Sequence, residues 1–304
     1  MANLRDIKAR IDSVKSTMQV TRTMEMISTA KIRRALERAQ QAEPYKDAIT
    51  RMLSHVASAS SGSQDPLLIK HTVERRVLFV LIASDRGMAG GFNIQPQRMV
   101  QREIEELEAK GIECELITAG RRPTEYFTFR GRKPVLSIEG NSSEPTMDDA
   151  DRIASYIIQG YRTGSLDRVV IYYSHARNRV DQELVNEQIL PVTSEDLIMV
   201  NQPREPEAIT EIDNTIPTVY AFDPSASEVL GYLMPAYIRT IVFHALLDSA
   251  AAEHGARRRA MQSATDNAQE VITALSRTYN RERQGSITTE LTEIIAGASA
   301  LEDK

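Results

Sequence analysis

No glycine occurs before Gly62, and ten of the twelve prolines lie between Pro66 and Pro224. Both residues punctuate or break helix, so the two ends of the chain are free to form long helices while the middle must turn often. The 304 residues therefore divide into 1–61, a helix; 62–224, a turn-rich domain; and 225–304, a second long helix. The length suits about two domains' worth of folded chain.

Within the first segment Leu4, Ile7, Ile11, Val14, Met18 and Thr21 alternate at spacings of three and four, and Ile27, Ile32, Ala35, Leu36 and Ala39 continue the pattern. This is a heptad-like stripe. A helix running to about Ala59 would be on the order of 90 Å long, and its apolar stripe needs a partner. The far end of the chain offers one. Ser225-Ala226-Ser227-Glu228 has the form of a capping box after Asp223-Pro224. Leu230, Met234, Tyr237, Ile241 and His244 then keep a three-four rhythm, which resumes at Ala264, Ala268, Val271 and Leu275 after the small residues 249–252. Ile287, Leu291, Ile294, Ala298 and Leu301 are spaced alike but out of phase with Leu275, which implies a stutter near residues 281–285. Pro235 is placed to kink the first turns.

In the middle segment, 77–82 and 168–173 are continuous apolar runs that read as buried parallel strands, with 115–118 and 134–138 as further strands. Residues 95–110 and 147–162 carry helical periodicity, and 217–222 reads as a returning strand. The pattern is that of an α/β unit.

Charge and composition exclude several functions. The chain carries −5 overall, yet residues 1–61 hold 11 Lys and Arg against 6 Asp and Glu, leaving −10 for the rest. The basic helix lacks the interleaved aromatics of a nucleic-acid binder. One cysteine, Cys114, makes neither a disulfide nor a thiolate metal site. The five histidines include no i, i+4 pair, so no helical metal site is expected, and no nucleophile motif stands out. Ser174-His175 is the nearest acid-base pair and has no third member in sequence. No stretch is read as long and apolar enough to span a bilayer. Asp85, Arg86, Gly87, Gly90 and Gly91 lie in a glycine-rich loop after a strand, where α/β folds cradle phosphates; the spacing matches neither a Walker loop nor G-x-G-x-x-G. Three readings stay open on the residues alone: a mechanical or structural helix pair, a coiled-coil tether with an α/β binding head, and a nucleotide-using α/β enzyme with its site at residues 85–93. The helix surfaces are rich in small and hydroxyl residues and poor in the large aromatic anchors of fixed interfaces.

Three stretches, Ile7 to Met26 with Ala30-Lys31, Ser84 to Asn93, and Tyr279 to Ala298, together resemble the gamma subunit of F-type ATP synthase, over essentially the whole chain and in the same order. The resemblance implies an antiparallel two-helix coiled coil made by both termini, with a Rossmann-like α/β domain inserted between them. It implies a non-catalytic central-stalk rotor without cofactor or metal, transmitting torque between a membrane c ring and a catalytic alpha/beta hexamer, and meeting the epsilon subunit. Met24, Arg257, Gln284, Thr288 and Glu290 match positions that touch the beta subunits, and 85–91 is a structural signature loop. Ala89 stands where many members carry cysteine, and no inserted cysteine pair is present. With no leader, the resemblance implies a bacterial member on the cytoplasmic face of the cell membrane.

Overall fold

The computed structural model describes residues 4–59, 65–178, 181–192, 223 and 225–302. The strand expected at 217–222 lies outside them. Among the described residues ten α-helices and β-strands follow in order: α1 (Leu4–Ala59), β1 (Arg76–Ile82), α2 (Ile94–Glu108), β2 (Glu113–Ala119), α3 (Arg121–Phe129), β3 (Leu136–Ile138), α4 (Met147–Arg162), β4 (Arg168–His175), β5 (Glu183–Leu190) and α5 (Ala226–Glu302), with a 3-10 turn at Pro66–Leu68 before β1. Contacts divide the chain into two compact units, Met1–Ser28 with Arg257–Lys304, and Thr29–Ala256. Helices α1 and α5 contribute to both.

In the larger unit the sheet order is β3-β2-β1-β4-β5, parallel except for β5. Strand alternation sorts β1 onto two faces. Leu78, Val80 and Ile82 face α4 and parts of α1 and α5, in one core with Ile153, Ile157, Leu53, Met234, Ile238 and Val242. Val77, Phe79 and Leu81 face the other way, onto Val100 and Ile104 of α2 and Phe127 of α3. Each fully buried aliphatic side chain contributes about 1.5–3 kcal/mol. Helix α4 starts where the sequence places it because Thr146 and Asp149 close a reciprocal cap: Asp149 N–H donates to Thr146 Oγ1, and Thr146 N–H to Asp149 Oδ2.

The sequence reading missed α3 and β5. The former is only nine residues and carries Pro123; the latter, Glu-Leu-Val-Asn-Glu-Gln-Ile-Leu, is an edge strand with a mixed polar face.

The smaller unit is a pair of antiparallel helix segments. Thr21 Oγ1 and Thr265 Oγ1 are 2.8 Å apart. Ile7, Ile11 and Ile272 form a buried cluster bordered by Val14, Met18, Leu275 and Tyr279. Two expected seam positions are corrected. Ile27 is 53% exposed while Ser28 is buried, and Val271 is 44% exposed while Ile272 is buried. On α1 positions 18, 21, 25, 28, 32, 35 and 39 are all buried or half-buried, a three-four series that includes polar residues, with 24, 31 and 36 half-buried beside it. Helix α5 begins as expected, with the Glu228 amide donating to Ser225 Oγ. It also contains one 18-residue window of mean hydropathy 1.3, long and apolar enough for a bilayer span, contrary to the sequence reading; half of that window is buried in the protein, as in a core helix.

Candidate functional site

The C-terminal ends of β1 to β4 lie along one edge of the sheet, and the loop after β1 is built around Asp85. Its carboxylate accepts three backbone N–H bonds, from Arg121 and Gly140 to Oδ1 and from Ser142 to Oδ2, each 2.9 Å. The Asp85 N–H donates in turn to Ser142 Oγ at 2.9 Å. Burial pushes this carboxyl up, but the amides of Gly140, Ser142 and Arg121 together hold it below the ordinary 3.8. Arg121 opens α3, so Asp85 occupies the place at a helix N-terminus where an anion would otherwise bind. Of the residues that suggested a phosphate cradle, Asp85 braces three strand-end loops with the chain's own charge. Gly120 permits this approach: at φ 113° it lies in the left-handed half of backbone space, and a Cβ there would meet Ala83 O at 2.5 Å.

The rest of the loop turns back on itself. Ser84 Oγ donates to Arg86 O at 2.6 Å, and Asn93 Oδ1 accepts the Ser84 N–H at 3.0 Å. Arg86, Gly90 and Gly91 are exposed, Gly87 is half-buried, and Gly90 turns at φ 58°. Ala89 and Phe92 point inward and pack with Ala35 of α1, Ala251, Ala252 and Ala256 of α5, and Ala83 and Ala176 at the strand ends. The signature loop therefore joins the sheet edge to both long helices through small side chains, and at position 89 a methyl group fills the contact.

Opposite this edge, α5 carries buried charge that flanks the small residues 249–252 and that the sequence reading passed over. Asp248, Glu253 and His254 are each less than 5% exposed. Asp248 Oδ1 accepts the Ala176 N–H at 3.0 Å, and its Oδ2 pairs with His175 Nδ1 in a short contact. Ser142 Oγ donates to Glu253 Oε2 at 3.1 Å. The third group absent from the sequence around His175 is thus Asp248, on a distant helix. A usable signal was present, since carboxylates set among alanines on an otherwise apolar helix face must find partners. One turn earlier, burial and the Lys46 ammonium hold His244 below its ordinary 6.5, against the opposing pull of Asp248 and Glu43.

The candidate contact residues all fall in the smaller unit. Met24 is half-buried and Arg257 is 7% exposed, whereas Gln284, Thr288 and Glu290 are exposed. Thr288 Oγ1 donates back to Gln284 O at 2.9 Å, and Ser286 Oγ to Glu290 Oε1 at 3.4 Å. Stepping along the antiparallel register from Thr21 and Thr265 sets Ile11 level with Leu275, Ile7 with Tyr279 and Leu4 with Glu282. Described α5 residues beyond Glu282 have no described α1 residue level with them. The expected stutter thus resolves into an apolar stripe that leaves the seam: Ile287, Leu291, Ile294 and Ile295 are 45–67% exposed on an unbroken helix. Ala298 is exposed too, and the Leu301 side chain lies outside the described residues.

Comparison with known proteins accords with this geometry. A chain in the cryo-EM structure of the Euglena gracilis mitochondrial ATP synthase rotor in rotational state 1 superposes with TM-score 0.61 at 19% identity, covering 93% of this chain and 98% of that one. A chain in the Euglena OSCP/F1/c-ring structure in rotational state 3 gives TM-score 0.66 at 21% identity, covering 98% and 94%. One from the Tetrahymena thermophila mitochondrial central stalk and c-ring gives 0.55 at 20%, covering 81% and 99%. These likenesses show a shared fold, and a family model described as ATP synthase matches residues 3–301. With helices from both termini paired around an α/β insert and a matching family model spanning nearly its full length, the chain belongs to the ATP synthase gamma-subunit family, the non-catalytic central stalk of that membrane-associated complex.

Proposed function

We propose that this rotor subunit transmits torque between a membrane c ring and an alpha/beta hexamer, with the α5 tail running inside the hexamer and the domain at residues 62–224 serving as the foot that meets the epsilon subunit and the c ring. Gln284, Thr288 and Glu290, together with Met24 and Arg257, make the beta contacts in this reading. The observation that carries it is the overhang of α5. An exposed file of Ile287, Leu291, Ile294 and Ile295 beyond the described start of α1 is apolar surface that no described residue covers, the kind of patch a partner chain takes. Few large aromatics anchor that surface, so successive angular positions can be close in energy. An asymmetric axle touches each surrounding catalytic subunit differently, and differential contact is what shifts their nucleotide affinities in turn. The related structures, described as rotor, F1 and c-ring assemblies, support the same arrangement.

We place the complex at the cell membrane with this subunit peripheral on the cytoplasmic face, which fractionation of the source cells tests. For the mechanical reading, the chain is co-expressed with its alpha and beta subunits. A stoichiometric complex whose ATPase drives ion pumping once joined to the c ring is the expected result. A purified chain that stays apart from alpha and beta, or that hydrolyses ATP unaided, would overturn it.

A further inference from the structure

The apolar contacts between α5 and the sheet resist separation but are non-directional. Leu230, Met234, Ile238 and Val242 are fully buried there, and their attraction has no preferred direction about the helix axis. Hydrogen bonds behave differently, because they weaken steeply away from linearity. At the end of β4, Asp248 is 3% exposed and is gripped twice, by the Ala176 amide and by His175 Nδ1. Charge-assisted bonds of this kind are roughly twice as strong as neutral ones. The clasp has a definite direction, since its donors come from two successive residues of one strand end. Around it stand His244 on α5 and Lys46 and Glu43 on α1. Five residues further along α5, Glu253 takes the Ser142 hydroxyl from the loop that also holds Asp85, giving the helix a second polar tie to the same sheet edge.

We propose that Asp248, clasped by His175 and the Ala176 amide, is a positioning residue that fixes the azimuth of α5 against the sheet, so that torque passes between sheet and helix without slip. This rests on the rotor reading. The Asp248 carboxylate touches neither nucleotide nor ion in this role; it sets the angular stiffness of the joint.

The test uses the assembled complex with the alpha/beta hexamer immobilised and stalled. A probe is attached to the sheet domain through Met99→Cys, a position 43% exposed on α2. Cys114 is half-buried with its thiol pushed up to about 11, first by burial and then by Glu108, so it competes poorly for the label. The readout is the angular variance of the probe. His175 is 42% exposed at its side chain, so His175→Ala leaves little cavity. It should widen the variance at least about twofold, the scale set by losing one hydrogen bond. His175→Asn, whose amide nitrogen can donate from near the position of Nδ1, should restore it. An unchanged variance in His175→Ala overturns the proposal. So does an equal widening in both variants accompanied by a lower melting temperature, which would mark a purely structural role. If even the parent chain forms no complex with alpha and beta, it is the rotor reading that has failed.

Discussion

Thr21 and Thr265 meet hydroxyl to hydroxyl across the helix pair, 2.8 Å apart, in the same antiparallel register as the cluster of Ile7, Ile11 and Ile272. Each hydroxyl also lies against a carbonyl of its own helix, Met18 O at 3.0 Å and Met261 O at 2.9 Å. Replacing either threonine by valine leaves its partner the carbonyl of its own helix and removes only the bond across the pair, which should cost about 0.5–1.5 kcal/mol, while the double replacement should cost less than the sum of the two. A double-mutant cycle by urea denaturation of the full chain measures this. Strict additivity would show that the pair is not coupled.

Asp85→Ala removes the acceptor of three amides at once. We expect a loss of about 2–3 kcal/mol in the stability of the α/β domain, with Asp85→Asn intermediate, because its amide turns a donor towards donors. Thermal unfolding of the full chain reads this directly. A change below about 0.5 kcal/mol would mean that water replaces the carboxylate without penalty.

Gly120→Ala and Gly111→Ala should differ sharply. Both glycines have positive φ, 113° and 80°, but a Cβ at Gly120 collides with Ala83 O, whereas one at Gly111 meets nothing within 4 Å. The Gly111 variant should lose only the left-handed strain, about 1–2 kcal/mol. The Gly120 variant should lose substantially more or accumulate unfolded. Comparable melting temperatures would contradict the geometry.

Acid should weaken the protein in two separated windows. His244 is held below 6.5, so the unfolded chain takes up its proton first. The stability it contributes is complete above about pH 6.5 and is lost as pH falls through the lower folded value. Asp85, Asp149 and Asp167 are held below 3.8, in each case by hydrogen bonds that outweigh burial. Their contribution survives the first window and is lost only as pH falls below 3.8. His244→Gln should flatten the first window and leave the second, which a pH series of urea melts would reveal.

Replacing Gln284 and Thr288 together by Ala should lower the coupled activity of the assembled complex while leaving the melting temperature of the isolated chain within about 1 °C, since both are exposed and alanine favours helix. Wild-type coupling in the double variant would remove these residues from the beta contact.

Much of the fold was legible because glycine, proline and apolar rhythm act locally. The absence of glycine before Gly62 announced α1, and the runs at 77–82 and 168–173 announced two central strands. What escaped depends on groups far apart in sequence. Apolar periodicity favoured Ile27 and Val271 for the seam, yet the chain buries Ser28 and Ile272, because a close helix pair accepts small polar residues wherever the three-four series falls. Asp85 was noticed only as part of a glycine-rich loop, and its partners lie 36 to 57 residues away. The His175 and Asp248 pair spans 73 residues, beyond any local pattern.

The brace at Asp85 has a consequence for how such a lobe responds to its surroundings. An anion delivered by the backbone sits at an effective concentration that a freely diffusing solute does not match, and it cannot be diluted away. Phosphate-bearing metabolites can rise and fall around this domain without gaining its strand-end amides, so its rigidity is insulated from the very fuel whose turnover its complex governs.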